Sequence, residues 1–515
     1  MVKACPRPTA AAKKKVAKTK NVTKKKVAKK KKVKKLREVA ELAVAIPWCV
    51  GGTHFSRQGV FVKCTMCKLW LLKRNSEGTK NRERMCPTCR ETLRPRHGGS
   101  GVVVKFADYL SGSMSAIVEA HKLCNQYLFP SLRTTHVVEI DPRFHELYEN
   151  IQNQFSKECV APNAVYKDVA LCDFDRGIEF ANFAWWSFKC EPYSNANTRG
   201  QVRGDDNLEA RKVMLAFREL LWYRKGGVIW TENVLKFFKS KAFADLVDFA
   251  KECGYEFLVD ETTSEFYFVI DARDVGLSTS RERGFACLFY RPLVGHPPKS
   301  TMSMRQCLNY AVEAERVEAA PVTLPSVDEL RTQFHMPDAE LAKLELVPGS
   351  CKHAALLEAI RKDTKYNSVD ELADDVVIDC ANSPSWAKVP VESTVPTFLK
   401  SHPCNCLYHV GLRRFLCGLE HMMLCGFHGE ILAAAAETAA ARIDWALPGQ
   451  IAGQCIAPPI HRAITRATLF FFRHYLTNKA LLDKEGEPRH CRALPPLPGV
   501  RALATRSGQR YGASR

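Results

Sequence analysis

From Gly101 onward, short apolar runs rich in β-branched and aromatic residues alternate with stretches of helical spacing. The run "VVVKFADYLSG" enters a small-residue turn and is followed by "SAIVEAHKL". "THVVEIDP" is followed by "ELYENIQNQF", and "NAVYKDVALCDF", "GGVIWTENV" and "EFYFVIDARDVG" continue the series. Strands alternating with helices predict an open, mostly parallel α/β sheet. Ligands in that architecture bind outside the carboxyl ends of the strands. The segments that matter for function are therefore "DYLSGS", "EID", "KDV", "KCEPYS" and "TENV".

The flanks have a different texture. The chain of 515 residues carries a net charge of +21, and much of the excess precedes its first acidic residue, Glu38. The tract "AAAKKKVAKTKNVTKKKVAKKKKVKKLR" has too little apolar surface to bury a core, so residues 1–40 are expected to be a disordered tail that grips polyanions. It is too charged for a secretion signal or membrane span and reads as a nuclear-targeting and nucleic-acid-binding segment, against a solubilising tail as the plain alternative. Twenty-one cysteines without a secretion signal indicate a reducing compartment. Cys64-x-x-Cys67 and Cys86-x-x-Cys89, eighteen residues apart, have the spacing of a four-thiolate zinc site within residues 45–97. "KCTMCKLWLL" loosely resembles a CW-type zinc finger, which implies a histone-tail or DNA ligand or a supporting role. Residues 476–515, rich in Arg, Pro and Gly, are expected to be a second flexible basic tail.

Taken in order, the strand ends carry a further pattern. "FADYLSGSMSA" resembles the first motif of the cytosine-5 DNA methyltransferase family, D-L-F-x-G-x-G-G. "VVEIDP" and "YKDVALCDF" are similar to the second and third. "KCEPYSNANTRG" resembles the nucleophile loop with its P-C-Q. "WTENV" contains Glu-Asn-Val, and "VGLSTSRERGFA" resembles G-V-P-Q-x-R-x-R. "RRFLCGLEHMMLCGFHGE" and "GQIAGQCIAPPIHRAI" are similar to the R-x-L-T-x-R-E and I-G-N-A-V-P-P segments.

The resemblance implies a Rossmann-like class I methyltransferase sheet in residues 101–296, completed by 401–475, with a target-recognition region in 297–400. It implies a DNA cytosine-5 methyltransferase that uses S-adenosylmethionine and flips its base out of the duplex. Cytosine carbon-5 is a poor nucleophile, so a thiolate must first add to carbon-6; Cys190 is the matching residue. Glu232 would protonate or hydrogen-bond the ring N3, and burial should hold it partly protonated. Asn233 would support the loop backbone. Arg281 and Arg283 supply fixed forks, one for the base O2 and one for the thiolate loop or a phosphate. The cofactor would be held by Asp108, Leu110, Gly112, Glu139, Ile140, Asp168 and Gln454: Gly112 by close backbone approach, Glu139 through the ribose hydroxyls, Asp168 through the adenine amino group.

The motifs depart from the family at several points. Leu110 stands for Phe, Met114 and Ser115 for a glycine pair, Lys189 for the proline before the thiol, and Glu191 for Gln. Thr279 replaces another Gln, and Gln454 an Asn. A lysine beside the thiol should favour thiolate and the glutamate should oppose it. Two alternatives stay open: a tRNA cytosine-5 methyltransferase on the same fold, and a nucleic-acid-binding chromatin protein that has lost catalysis. A nuclear location follows from the tail, and no membrane association is expected.

Overall fold

The computed structural model describes residues 102–484 apart from 111, 128–130, 155–163, 167, 175–177, 195–203, 299–301, 320, 364, 381–388, 391–394 and 397–405. It also describes two strands nearer the N-terminus, β1 (Phe61–Lys63) and β2 (Trp70–Leu72). The chain divides into two compact units, Met1–Pro95 and Arg96–Arg515. In the first, β1 and β2 pair antiparallel with Lys63 opposite Trp70. The lysine-rich tail, the four candidate zinc ligands Cys64, Cys67, Cys86 and Cys89, and residues 485–515 lie outside the described residues. Among those described, no group of three His, Cys, Asp or Glu side chains is placed to hold a metal ion, and no helix is long and apolar enough to cross a membrane.

The second unit is built on an eight-stranded sheet, made of β3 (Val103–Tyr109), β4 (Ser131–Val138), β5 (Ala164–Tyr166), β6 (Phe183–Ser187), β7 (Val228–Asn233), β8 (Tyr255–Phe257), β9 (Phe268–Asp271) and β10 (Glu282–Tyr290). The order is β5-β4-β3-β6-β7-β10-β8, with β9 also on β10. β5, β4, β3, β6 and β7 run parallel; β10 is reversed against β7, β8 and β9. This is the Rossmann-like class I methyltransferase sheet, with its first strand central and the topological switch between β3 and β6. Crossovers are made by helices α1 (Ser115–Tyr127), α2 (Pro142–Gln154), α3 (Leu208–Tyr223) and α4 (Lys241–Glu252).

Strand side chains alternate between two cores, as a sheet covered on both faces requires. Phe183, Trp185, Val228, Trp230, Phe285 and Cys287 enter one, while Ala184, Trp186, Ile229, Ala286 and Leu288 enter the other. The first face is covered by α1, by α5 (Met304–Glu318) and by α8 (Pro458–Phe471); the second by α3 and α4. Arg462 on α8 bonds Glu119 on α1 and Glu315 on α5, each at 2.8 Å, which staples the three helices with buried charge.

A smaller sheet, β11 (Val377–Asp379), β12 (Leu407–His409) and β13 (Arg414–Phe415), packs with α6 (Cys351–Lys362) around its own core of Leu356, Ile360, Ile378, Tyr408 and Phe415. Two expected boundaries move accordingly. Residues 304–318 belong to the main core through Met304, Cys307, Leu308 and Ala311, and the small sheet runs past residue 400 because β12 and β13 pair with β11. The second correction concerns the C-terminal tail, expected from residue 476. Leu476 and Leu482 are buried, and Asn182 donates to the Leu482 carbonyl at 3.0 Å and to the Tyr475 hydroxyl at 3.1 Å, so the chain is tied to the sheet's amino end through Leu482.

The R-x-L-x-x-L-E segment turns out to be a buried ion pair. Arg414 meets both oxygens of Glu420 at 2.7 and 2.9 Å and also donates to the Pro325 carbonyl at 2.8 Å. Removing one partner strands the other charge in the core. Arg414→Met should therefore cost about 3–5 kcal/mol, read as a lowered urea midpoint, and Arg414→Met/Glu420→Leu should recover most of it. A single variant as stable as wild type would contradict this account.

Candidate active site

The carboxyl ends of β6 and β7 sit side by side because the two strands pair in parallel, with Ser187 opposite Glu232. Past Ser187 the backbone continues through Phe188 and Lys189 to Cys190, which precedes a short 3-10 turn, Glu191–Tyr193. Cys190 is half-buried. Asn233, the next residue along β7, is fully buried and donates from Nδ2 to the Lys189 carbonyl at 3.4 Å, while its Oδ1 accepts from the Val234 N–H at 2.7 Å. Asn233 thus links the end of β7 to the backbone just before Cys190.

On its other side, β7 pairs antiparallel with β10, Glu232 opposite Phe285. That register carries Arg283 to Glu232, Nε to Oε1 at 3.2 Å. Burial raises the Glu232 carboxyl above the usual range, and Arg283 and Arg281 oppose the rise. The Cys190 thiol is pushed up to about 11, chiefly by burial, then by Glu191 and Glu232, with Arg283 and Arg281 pulling it down. The resting group is a thiol at neutral pH.

The Lys189 ammonium lies 3.9 Å from Glu209, and the cations that most lower the Cys190 thiol are Arg283 and Arg281. Arg281 is also tied to the closing segment. Its Nη1 and Nη2 donate to the carbonyls of Ala452 and Gln454 at 2.9 and 3.1 Å, at the end of α7 (Leu447–Gln454), and its N–H donates to Asp271 at 3.1 Å. Its Nε is buried without a hydrogen-bond partner, and its charge acts on Cys190.

The second cluster lies at the ends of β3 and β4. Gly112 has φ +57°, and a Cβ there would meet Cys455 Sγ at 2.8 Å, so a side chain is excluded. Its N–H donates to Glu139 Oε2 at 3.0 Å, and the Asp141 N–H donates to Oε1 at 3.0 Å. Each oxygen keeps a lone pair for a hydroxyl donor. Burial, with Glu139 nearby, raises the Asp108 carboxyl well above its ordinary value. Asp108 Oδ2 and Gln454 Nε2 are buried without a hydrogen-bond partner. Ile140 directly follows Glu139 and is 58% exposed, an apolar face left in water at a strand end. Asp168, past β5, caps the Ala170 N–H at 2.9 Å with one oxygen.

These residues fit S-adenosylmethionine: unsatisfied buried polar atoms, a paired acceptor for ribose and an exposed apolar residue for a purine face. The family's glycine pair falls on Met114 and Ser115, and Met114 holds φ 57°, with Leu110 at φ 60°. The left-handed turn that glycine serves is therefore kept by side chains, at about 1–3 kcal/mol of strain per residue. Burial of the Met114 side chain in the main core offsets it.

Sequence reasoning did not assign Asp271, Asp205, Tyr193 or Cys455. Tyr193 donates to Asp205 Oδ1 at 3.0 Å, and Asp205 Oδ2 accepts from the Ala242 N–H at 3.1 Å. That contact joins the nucleophile loop to α4, and the sequence carried no signal for it.

Neither a family model nor a curated protein matches the chain. Solved structures that it resembles are methyltransferases. One is the Schizosaccharomyces pombe Dnmt2 methyltransferase, at 14% identity over 71% of this chain and 98% of that one, TM-score 0.43. Another is the Entamoeba histolytica methyltransferase EhMeth, at 13% identity over 72% and 98%, TM-score 0.38. A third is a putative DNA modification methyltransferase of an Escherichia coli prophage, at 14% identity over 72% and 99%, TM-score 0.40.

The charges around Cys190 set a pH test. Glu191 and Glu232 raise the thiol, so neutralising either should lower its pKa and make it react at lower pH. Glu191→Gln and Glu232→Gln should each shift the iodoacetamide profile of Cys190, resolved by mass spectrometry, acidward from the wild-type midpoint near 11. The exposed Cys351 provides the internal control. A profile unmoved in both variants would remove the carboxylates from the thiol's environment.

Proposed function

We propose that the chain is a DNA cytosine-5 methyltransferase. The observation that carries the reading is the convergence, at adjacent strand ends, of a half-buried thiol, a buried carboxyl of raised pKa and an arginine on that carboxyl. A target cytosine flipped into this cleft would have carbon-6 at Cys190 Sγ and N3 at Glu232. Cys190 gives its proton to solvent and adds to carbon-6 as thiolate, while Glu232, held partly protonated by burial, donates to N3 so that negative charge does not accumulate on the ring. Arg283, beside Glu232, supplies a fixed donor for the ring O2. Asp108, Gly112, Glu139, Ile140, Asp168 and Gln454 hold S-adenosylmethionine, which supplies the methyl group. Loss of the carbon-5 proton to solvent then breaks the carbon-6–sulfur bond, so that Cys190 leaves as thiolate and N3 returns its proton to Glu232.

The basic N-terminal tract favours DNA and a nuclear location, since the tRNA-directed branch of the family is compact and lacks such a tail. The same reading takes Cys64, Cys67, Cys86 and Cys89, on the spacing of their pairs, as ligands of one structural zinc in a module that reads DNA or a histone tail or supports the next domain. The function is tested by transfer of labelled methyl from S-adenosylmethionine to duplex DNA and to tRNA, side by side. DNA should be labelled and should trap the protein when it carries 5-fluorocytosine; Cys190→Ser should abolish both, and Glu232→Gln should slow trapping by about a hundredfold or more. Labelling of tRNA alone would move the substrate to RNA, and no labelling of either would leave a binding protein. Metal analysis should find about one zinc per chain, lost in Cys64→Ser/Cys67→Ser; zinc retained in that variant would relocate the site.

A further inference from the structure

Directly after Glu232 and Asn233, the chain reads "VLKFFKSKAF". Lys236, Lys239 and Lys241 are exposed, and no carboxylate among the described residues lies within 4 Å of their ammonium groups. Three cations within six residues on solvated surface repel one another and gain nothing from the fold, so their placement has to be read against an external anion.

The segment is held rigidly to the nucleophile loop. Phe237 packs on Phe188 and Tyr193 with ring centroids 4.9 and 5.1 Å apart, the residues two before and three after Cys190. Phe238 stacks on Tyr267 at 4.8 Å. Asp205 closes the link by accepting from Tyr193 and from the Ala242 N–H in the first turn of α4. The lysines thus ride on a backbone whose position is set by the same contacts that set Cys190.

We propose that Lys236, Lys239 and Lys241 form a docking ridge for the phosphodiester backbone of the strand that carries the target nucleotide. The proposal rests on the methyltransferase reading above and extends it to a strand-positioning surface. A flipped base stays tied to its sugar and phosphates, so protein surface beside the base site faces that backbone. Lysine suits such a surface, because a flexible, solvated point charge contacts phosphate without reading sequence.

The test uses the full chain. Brief acetylation with an N-hydroxysuccinimide ester, read by mass spectrometry, is run with and without saturating duplex DNA, and in a separate arm with tRNA. The three ridge lysines should be protected by one of the two nucleic acids, while Lys479, next to the α8-side anchor at the sheet's amino end, should not. Lys236→Gln/Lys239→Gln/Lys241→Gln should raise the KM for nucleic acid about tenfold and reduce the slope of log binding against log salt by about 2–3, since three phosphate contacts are lost. kcat at saturation and S-adenosylmethionine affinity should not change. Equal acetylation with and without both nucleic acids, or an unchanged salt slope in the triple variant, overturns the ridge. If wild type transfers no methyl, protection and salt slope still read the ridge, so the two failures are distinguishable.

Discussion

Strand β7 is pinned on both sides, and the site depends on that double pairing. Its parallel register with β6 sets Ser187 beside Glu232, and its antiparallel register with β10 sets Phe285 there. A slip of one residue on either side would turn Glu232 to the opposite face and separate it from Cys190 and Arg283. Trp230 guards the register: its indole donates to Thr468 at 2.7 Å, and its ring lies within the main core. The Glu232 carboxyl is positioned by the same packing that stabilises the domain.

Burial then does the electrostatic tuning. It raises the pKa of both Glu232 and Cys190 and so favours the protonated form of each. The two arginines soften these shifts from different positions. Arg283 faces Glu232, while Arg281 satisfies the carbonyls at the end of α7 and so ties the thiol side of the site to the cofactor side. Gln454, whose carbonyl Arg281 holds, leaves its amide nitrogen without a protein partner next to Cys455 and Gly112.

The departures from the family pattern divide by physical consequence. Met114 preserves the backbone conformation of the glycine it replaces and adds buried apolar surface. Glu191 changes the electrostatics, since it opposes thiolate formation where the family carries a neutral amide. Lys189 lies 3.9 Å from Glu209 at the surface.

Much of this was legible in the residues themselves. Strand and helix alternation specified the sheet, and the ordered motifs nominated Cys190, Glu232, Asn233 and the Gly112 turn, because each needs a residue type that few positions tolerate. The reversal of β10 was not legible, since "SRERGFACLFY" carries no mark of direction, and the fate of the two arginines followed from it. Arg281 and Arg283 differ by two positions and share one chemistry; only the packing of α7 against β10 gave one the carbonyls of Ala452 and Gln454 and left the other beside Glu232. Nor could the primary structure disclose the Tyr193–Asp205–Ala242 link. Local residue types determine which chemistry is possible along the chain, and the partners that decide where each charge is directed are supplied by segments tens to hundreds of residues away.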